Sequence, residues 1–368
     1  MKKLIALFLI LTLVLCGCGN SSVPVPTAAP TEVPTTAAPT EAPSEEVTEA
    51  PTEAPTEAPT EPVVYTNPLN GAILEAPPES RPFAVVINNI PAAMPMYGIS
   101  KADLFFEMFV NDHCTRGLAI FSDIRNVSSV GSVRSLRYNF VDLAQVYDSV
   151  LLYAGGSDQV LKHMANSGVP GISVENETGK YYFRDKDRQS AGYAWEHTLF
   201  VKGAASMEFA ENKGIRITPQ EGWDCGLTFR EDGTPTDGET ATSITIRMKH
   251  DGVTKKSTMK YDEEKGAYQF YQFNKAMYDG SEKQNIYFEN VLVILCPVSN
   301  QGVYHVADLI GSGEGWFACG GRIIPIRWSH ENARDPISFT LADGSALELG
   351  VGSSYIAIAP LSSSLDFE

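Results

Sequence analysis

Residues 149–164 read SVLLYAGGSDQVLKHM. Ser149 to Ala154 is an apolar run of strand length, and Gly155-Gly156 breaks it. Ser157 is a natural N-cap for a helix that follows through Val160, Leu161 and Met164. A strand, a glycine corner and a helix in succession point to an α/β unit. Upstream the same texture continues. Arg81 to Asn89 (RPFAVVINN), Asp103 to Val110 (DLFFEMFV) and Gly117 to Asp123 (GLAIFSD) are compact apolar runs, read as buried strands. Between Arg134 and Tyr147 the period changes, because Leu136, Phe140, Leu143, Ala144 and Tyr147 recur at helical spacing. An α/β domain is therefore expected over residues 64–205.

From about Ile215 the pattern becomes that of hairpins. Thr242 to Lys249 alternates, Asp251-Gly252 is a hairpin turn, and Lys255 to Tyr261 returns. Phe288 to Leu295, Tyr304 to Ile310, Gly315 to Cys319 and Arg322 to Trp328 read as further strands, with Gly320-Gly321 turning the last pair. Ile337 to Leu341 and Ala346 to Leu349 flank another turn at Asp343-Gly344. Residues 206–368 are expected to form a mainly antiparallel β, or α+β, domain.

The first 63 residues belong to neither domain. Lys2 and Lys3 precede an apolar run from Leu4 to Leu15, too short for a permanent span but suited to a signal peptide. Leu15-Cys16-Gly17-Cys18 reads as a lipobox, so residues 1–18 are a lipoprotein signal with cleavage before Cys18 and acyl chains on its thiol. That places the protein on the outer face of a cell membrane, held by lipid. Residues 19–63 are a Pro/Thr/Glu stalk in which Glu-Ala-Pro-Thr recurs, with no Lys or Arg between Lys3 and Arg81. Proline at this density blocks helix and sheet. At ~3.1 Å per residue such a stalk reaches roughly 140 Å.

The formal net charge is −17, and the eight stalk glutamates account for only part of it. An acidic chain of this kind argues against nucleic-acid binding. Cys114, Cys225, Cys296 and Cys319 lie in neither CxxC nor His-paired spacing, so no zinc site is read from them, and one disulfide or four core thiols both remain open. No cofactor is implied.

One cationic stretch stands out, Val130-Gly131-Ser132-Val133-Arg134-Ser135-Leu136-Arg137. Read as a helix start at Gly131 and Ser132, it offers free N–H groups to an anion, with Arg134 and Arg137 three apart on the first turns. Arg116 and the Gly155-Gly156-Ser157 corner would join them in one cleft at the carboxyl ends of the strands. Asp103 and Glu107 are candidate acids. Glu107, amid Leu-Phe-Phe-Met-Phe, needs a partner in the core, for which Arg116 and Arg134 are available. His197 is a further candidate for the cleft, and Ser157 lacks the GxSxG context of a hydrolase nucleophile.

These stretches resemble the YerB-like lipoprotein family, a two-domain family without an assigned activity. The resemblance rests on Arg81-Pro82 with Ala84 to Asn88, Gly98 to Glu107, Thr115-Arg116 with Ala119 to Phe121, Gly131 to Arg137 and Tyr153 to Ser157. In the second half it rests on Asn290-Val291, Gly313 to Trp328 and Asp343 to Pro360, so that residues 75–362 are covered. Three places depart from the family pattern: Asn111-Asp112-His113-Cys114 stands for Glu-Gly-Gly, Tyr153 for a histidine, and Trp195-Glu196-His197-Thr198 for Pro-His-Asn. Any family chemistry at those positions is altered in this chain.

Three functions fit this reading. The first is a binding module for an anionic ligand or partner of the cell envelope. The second is an envelope scaffold that recruits other proteins. The third is an enzyme resembling those that transfer phosphate-linked polymers, with Asp103 or Glu107 holding Mg²⁺. The binding module is preferred, and no catalytic residue is assigned.

Overall fold

The computed structural model describes residues 63–111, 114–174 and 179–368. The signal peptide, Cys18 and the stalk through residue 62 lie outside the described residues, as do Asp112 and His113.

The first half contributes strands β1 (Phe83–Asn89), β2 (Leu104–Asn111) and β3 (Cys114–Phe121), then helix α1 (Tyr138–Val146), β4 (Val150–Tyr153), α2 (Asp158–Ser167) and β5 (Gly171–Ser173), and later helix α3 (Gly203–Asn212). The second half adds β6 (Ser243–His250), β7 (Val253–Asp262), β8 (Ala267–Gln272), β9 (Asn290–Cys296), β10 (Val298–Gln301), β11 (Tyr304–Ala307), β12 (Gly311–Cys319), β13 (Arg322–His330), β14 (Ser354–Pro360) and β15 (Ser364–Phe367). The α/β half followed by a β-rich half matches the fold class read from the sequence.

The two halves share a sheet. Its main path runs β13-β12-β9-β14-β2-β3-β1-β4-β5, so β14, from near the C-terminus, pairs in parallel with β2. Residues 61–368 accordingly cluster as one compact unit. A second sheet, built on β8-β7-β6-β15, is antiparallel and lies over one face of the first.

Alternation along the central strands sorts the core into two layers. Val85, Ile87, Phe105, Phe109, Ala119, Tyr355 and Ala357 face the second sheet, where they meet Ile244, Ile246, Met259, Phe270 and Phe288. Phe105, Phe270, Phe288 and Tyr355 form an aromatic cluster with ring centroids 5.3–6.2 Å apart. Gly117 must be glycine here, because a Cβ on it would lie 2.4 Å from the Phe105 ring. On the other face Ala84, Val86, Phe106, Leu118 and Ile358 pack against Phe140 and Leu143 of α1, Tyr147 at its C-cap and Val160 of α2. The sheet is thus covered on both sides.

One local expectation is corrected. The helix read from Arg134 begins at Tyr138, with Arg137 extended at its N-cap (φ −138°, ψ 163°). Residues 132–136 are instead drawn into extended pairing with the end of β1: Asn88 donates to the Ser132 carbonyl at 2.9 Å, and Arg134 N–H to the Val86 carbonyl at 2.9 Å. The β-branched Val130 and Val133 suit that conformation. Of the two states left open for the cysteines, the structure has Cys114, Cys225, Cys296 and Cys319 all as free thiols, the last three buried. No helix among the described residues is long and apolar enough to cross a membrane.

Candidate functional site

The extended 132–136 segment lies between the end of β1 and the glycine corner that follows β4. Ala154 N–H donates to the Arg134 carbonyl and Leu136 N–H to the Gly155 carbonyl, both at 2.9 Å. The two corners singled out in the sequence are therefore adjacent. Gly155 turns the chain with φ +60°, Gly156 packs against Leu136, and Ser157 caps α2 by accepting from Val160 N–H at 3.5 Å.

Arg116, on β3, reaches this segment from the neighbouring strand. Its Nη1 donates to the Ser135 carbonyl at 2.6 Å. Arg137 Nη1 donates to the Leu136 carbonyl at 2.7 Å and, more weakly, to that of Ser135 at 3.5 Å. Its Nη2 reaches Asn111 Oδ1 at 3.5 Å, and its guanidinium stacks over the Tyr304 ring, 4.5 Å from the centroid. The Arg134 side chain makes no hydrogen bond or ion pair with any described residue. Asn111 and Tyr304 are partners across β2 and β11, a contact that sequence reasoning missed because nothing local links residue 304 to residue 137.

Three guanidinium groups thus gather with no carboxylate salt bridge among the described residues. Burial pushes Arg116 down to about 9, and the nearby Arg137 and Arg134 add to the shift. Arg134 and Arg137 are lowered as well, chiefly by burial; Glu196 acts the other way on Arg134, and Tyr304 on Arg137. Arg134 Nε, Arg137 Nε and Ser132 Oγ are all buried without a hydrogen-bond partner. By contrast, Arg81 and Arg216 both bind Asp148, at 2.8 and 2.7 Å. His197 borders the cluster. Its Nδ1 accepts from Asn88 Nδ2 at 2.9 Å, and burial, with Arg134 and Arg188 assisting against Glu196, holds its imidazole below the usual range.

The two candidate acids sit apart from the arginines. Glu107 is fully buried and faces the second sheet, whereas Arg116 pairs with Met108 and Asn88 on the opposite face. The expected pairing of Glu107 with Arg116 or Arg134 is replaced by five neutral donors. Asn89 Nδ2 and Thr115 Oγ1 bind Oε1 at 2.8 and 2.7 Å; Ser257 Oγ, Gln272 Nε2 and Tyr355 Oη bind Oε2 at 2.9, 2.7 and 2.6 Å. Three of these donors come from the second half of the chain, which explains why a sequence reading could not find them. Asp103 accepts from Ser122 N–H at 2.6 Å, Asn70 Nδ2 at 2.5 Å and Asn67 Nδ2 at 3.2 Å; burial nonetheless raises its carboxyl above the usual range. Both acids act as internal knots of the fold.

Comparison with known proteins agrees with this architecture. Residues 70–216 match the N-terminal domain, and residues 244–356 the C-terminal domain, of a family described as "Protein of unknown function (DUF3048)". The chain is 26% identical over 286 residues to the Bacillus subtilis (strain 168) protein named "Putative lipoprotein YerB", covering 77% of this chain and 82% of that protein. The crystal structure of the YerB protein from Bacillus subtilis superposes with a TM-score of 0.67 at 26% identity, covering 82% of this chain and 99% of the other.

Proposed function

We propose, for a chain that belongs to the two-domain YerB-like family, that the corner formed by Arg116, Arg134 and Arg137 binds an anionic ligand of the cell envelope. The protein is held to the outer face of the membrane by lipid on Cys18, and the stalk carries the binding unit away from the surface. The observation that carries this reading is the gathering of three guanidinium groups with no carboxylate salt bridge among the described residues, while Arg134 Nε and Arg137 Nε stay buried without a hydrogen-bond partner. Holding like charges together in a partly buried corner is costly, and a bound phosphate or carboxylate relieves that cost. Guanidinium forks match those anions in shape and charge. The Gly155-Gly156-Ser157 turn adds the N-terminus of α2 to the same corner. A Mg²⁺-assisted transfer through Asp103 or Glu107 receives no support from this arrangement, because Glu107 occupies the opposite face of the sheet from Arg116 and both acids are already surrounded by donors.

The test is thermal unfolding of the full chain in detergent with inorganic phosphate, pyrophosphate and fragments of anionic wall polymer. A ligand at a hundred times its dissociation constant stabilises by about 2.7 kcal/mol. The reading requires such a stabilisation with at least one of the three, lost in Arg134→Ala. Equal shifts in wild type and variant, or none in either, would remove the anion site.

A further inference from the structure

The geometry points to a binding site for a divalent transition metal of the zinc class at His250, Asp251 and His305. One ligand atom from each of these residues can be chosen so that all three lie within 4.8 Å of one another. They come from two hairpins. His250 ends β6 and Asp251 sits in the turn to β7, where Asp251 and Gly252 have φ of 45° and 77°. His305 lies on β11, directly across from Asn300 of β10.

The convergence is held by Asn300. Its Nδ2 donates to Asp251 Oδ2 at 2.7 Å, which sets the direction of the amide. Its Oδ1 then points at both imidazoles, 2.7 Å from His305 Nδ1 and 3.1 Å from His250 Nε2. His250 Nε2 is itself 3.6 Å from Asp251 Oδ2. Two ring nitrogens and a carboxylate oxygen therefore aim at one small volume, and the Asn300 carbonyl oxygen supplies a neutral fourth donor. Zinc bonds of ~2.1 Å in a tetrahedron place ligand atoms about 3.4 Å apart, so modest side-chain rotations close the set. Two imidazoles select zinc, nickel, cobalt or copper over magnesium and calcium, which take oxygen ligands. Phe109 neighbours both rings, its centroid 6.1 Å from each, and gives the site an apolar side. Asp251 is exposed, which opens the site to solvent, and the Asn300 hydrogen bond with the two imidazoles keeps its carboxyl below the usual range. Coordination uses the lone pairs of His305 Nδ1 and His250 Nε2. In each neutral ring the proton held toward Asn300 moves to the other ring nitrogen, so no net proton is released.

The experiment is a titration of the full, untagged chain in detergent micelles after chelator treatment, with Zn²⁺ followed by calorimetry and Co²⁺ by visible absorption. One metal per chain is expected, with the ligand-field bands of four-coordinate cobalt. His250→Ala and Asp251→Asn, both outside the deep core, should each weaken binding by at least about tenfold while the far-UV circular dichroism stays native. His163→Ala, whose imidazole pairs with Asp142, should leave it unchanged. Absence of stoichiometric binding would overturn the site, as would unchanged affinity in natively folded His250→Ala and Asp251→Asn; the cluster would then be a self-contained hydrogen-bond network.

Discussion

Arg116 and Arg137 donate to the same acceptor, the Ser135 carbonyl, at 2.6 and 3.5 Å. That carbonyl and the Leu136 carbonyl, 2.7 Å from Arg137 Nη1, are a weak counterweight for two guanidinium charges, and Arg134 adds a third whose side chain makes no hydrogen bond. Removing Arg134 therefore subtracts repulsion and breaks no side-chain hydrogen bond; what it loses is the attraction of the exposed Glu196 carboxylate. Arg134→Ala should leave the unliganded protein within about 0.5 kcal/mol of wild type, or more stable. The same variant should lose the stabilisation by anions. Urea unfolding with and without phosphate measures both. A variant that is markedly destabilised in the absence of anion would assign Arg134 a structural role.

The buried knot at Glu107 predicts the opposite behaviour. Its five donors span residues 89 to 355, so it ties both halves of the chain into the central sheet. Tyr355→Phe removes one donor to a carboxylate and should cost about 1.5–3 kcal/mol. Glu107→Ala strands five donors in the core and should cost at least about 3 kcal/mol. Glu107→Gln keeps one acceptor oxygen but turns an amide N–H₂ toward other donors, so it should fall between them or fail to fold. Denaturant unfolding provides the values, and a Glu107→Ala protein as stable as wild type would contradict the knot.

The legible and illegible parts of this molecule divide along a physical line. The runs 81–89, 103–110 and 149–154 were readable as strands because apolar residues are contiguous and bounded by Pro, Gly or polar residues. The Gly155-Gly156-Ser157 corner was readable because its backbone demands are local. Arg134 and Arg137 were singled out by reading Gly131 and Ser132 as a helix start, a premise the structure does not keep, because the helix begins at Tyr138. The conformation of residues 132–136 was not readable, because helical periodicity from Leu136 onward extends smoothly back to Arg134, while the pairing that overrides it comes from β1 and Ala154. Tyr304 beneath Arg137, the donors to Glu107, and the meeting of His250 with His305 all depend on contacts between strands distant in sequence. No local pattern records them.

The four free thiols differ in environment, and chemical labelling should reveal it. Burial pushes the Cys296 thiol up to about 12, and those of Cys225 and Cys319 up to about 11. Cys114 is only half-buried and lies beside the arginine corner. Since the thiolate is the reacting species, maleimide at neutral pH should modify Cys114 of the native protein before the other three. Peptide mapping identifies the labelled site. Prior labelling at Cys114 should also reduce stabilisation by phosphate. Simultaneous modification of all four under native conditions would show that the core is open.

His197 makes the stability depend on pH in a definite direction. Its folded-state pKa lies below the ordinary value of 6.5, mainly through burial, with Arg134 and Arg188 disfavouring a further positive charge. Above pH about 6.5 the ring is neutral in both folded and unfolded chains, and its contribution to stability is fully present. As pH falls below that value the unfolded chain binds the proton first, so stability declines until the folded protein is protonated too. His197→Asn places an amide oxygen near the position of Nδ1, where it can accept from Asn88, and carries no titrating group. The variant should therefore flatten this part of the pH profile while unfolding like wild type at pH 8. Phosphate bound beside Arg134 would offset one of the opposing charges and move the His197 titration upward, which NMR of the imidazole would detect. An acid slope identical in wild type and His197→Asn, or an imidazole that titrates at or above 6.5 without anion, would refute this account of the corner.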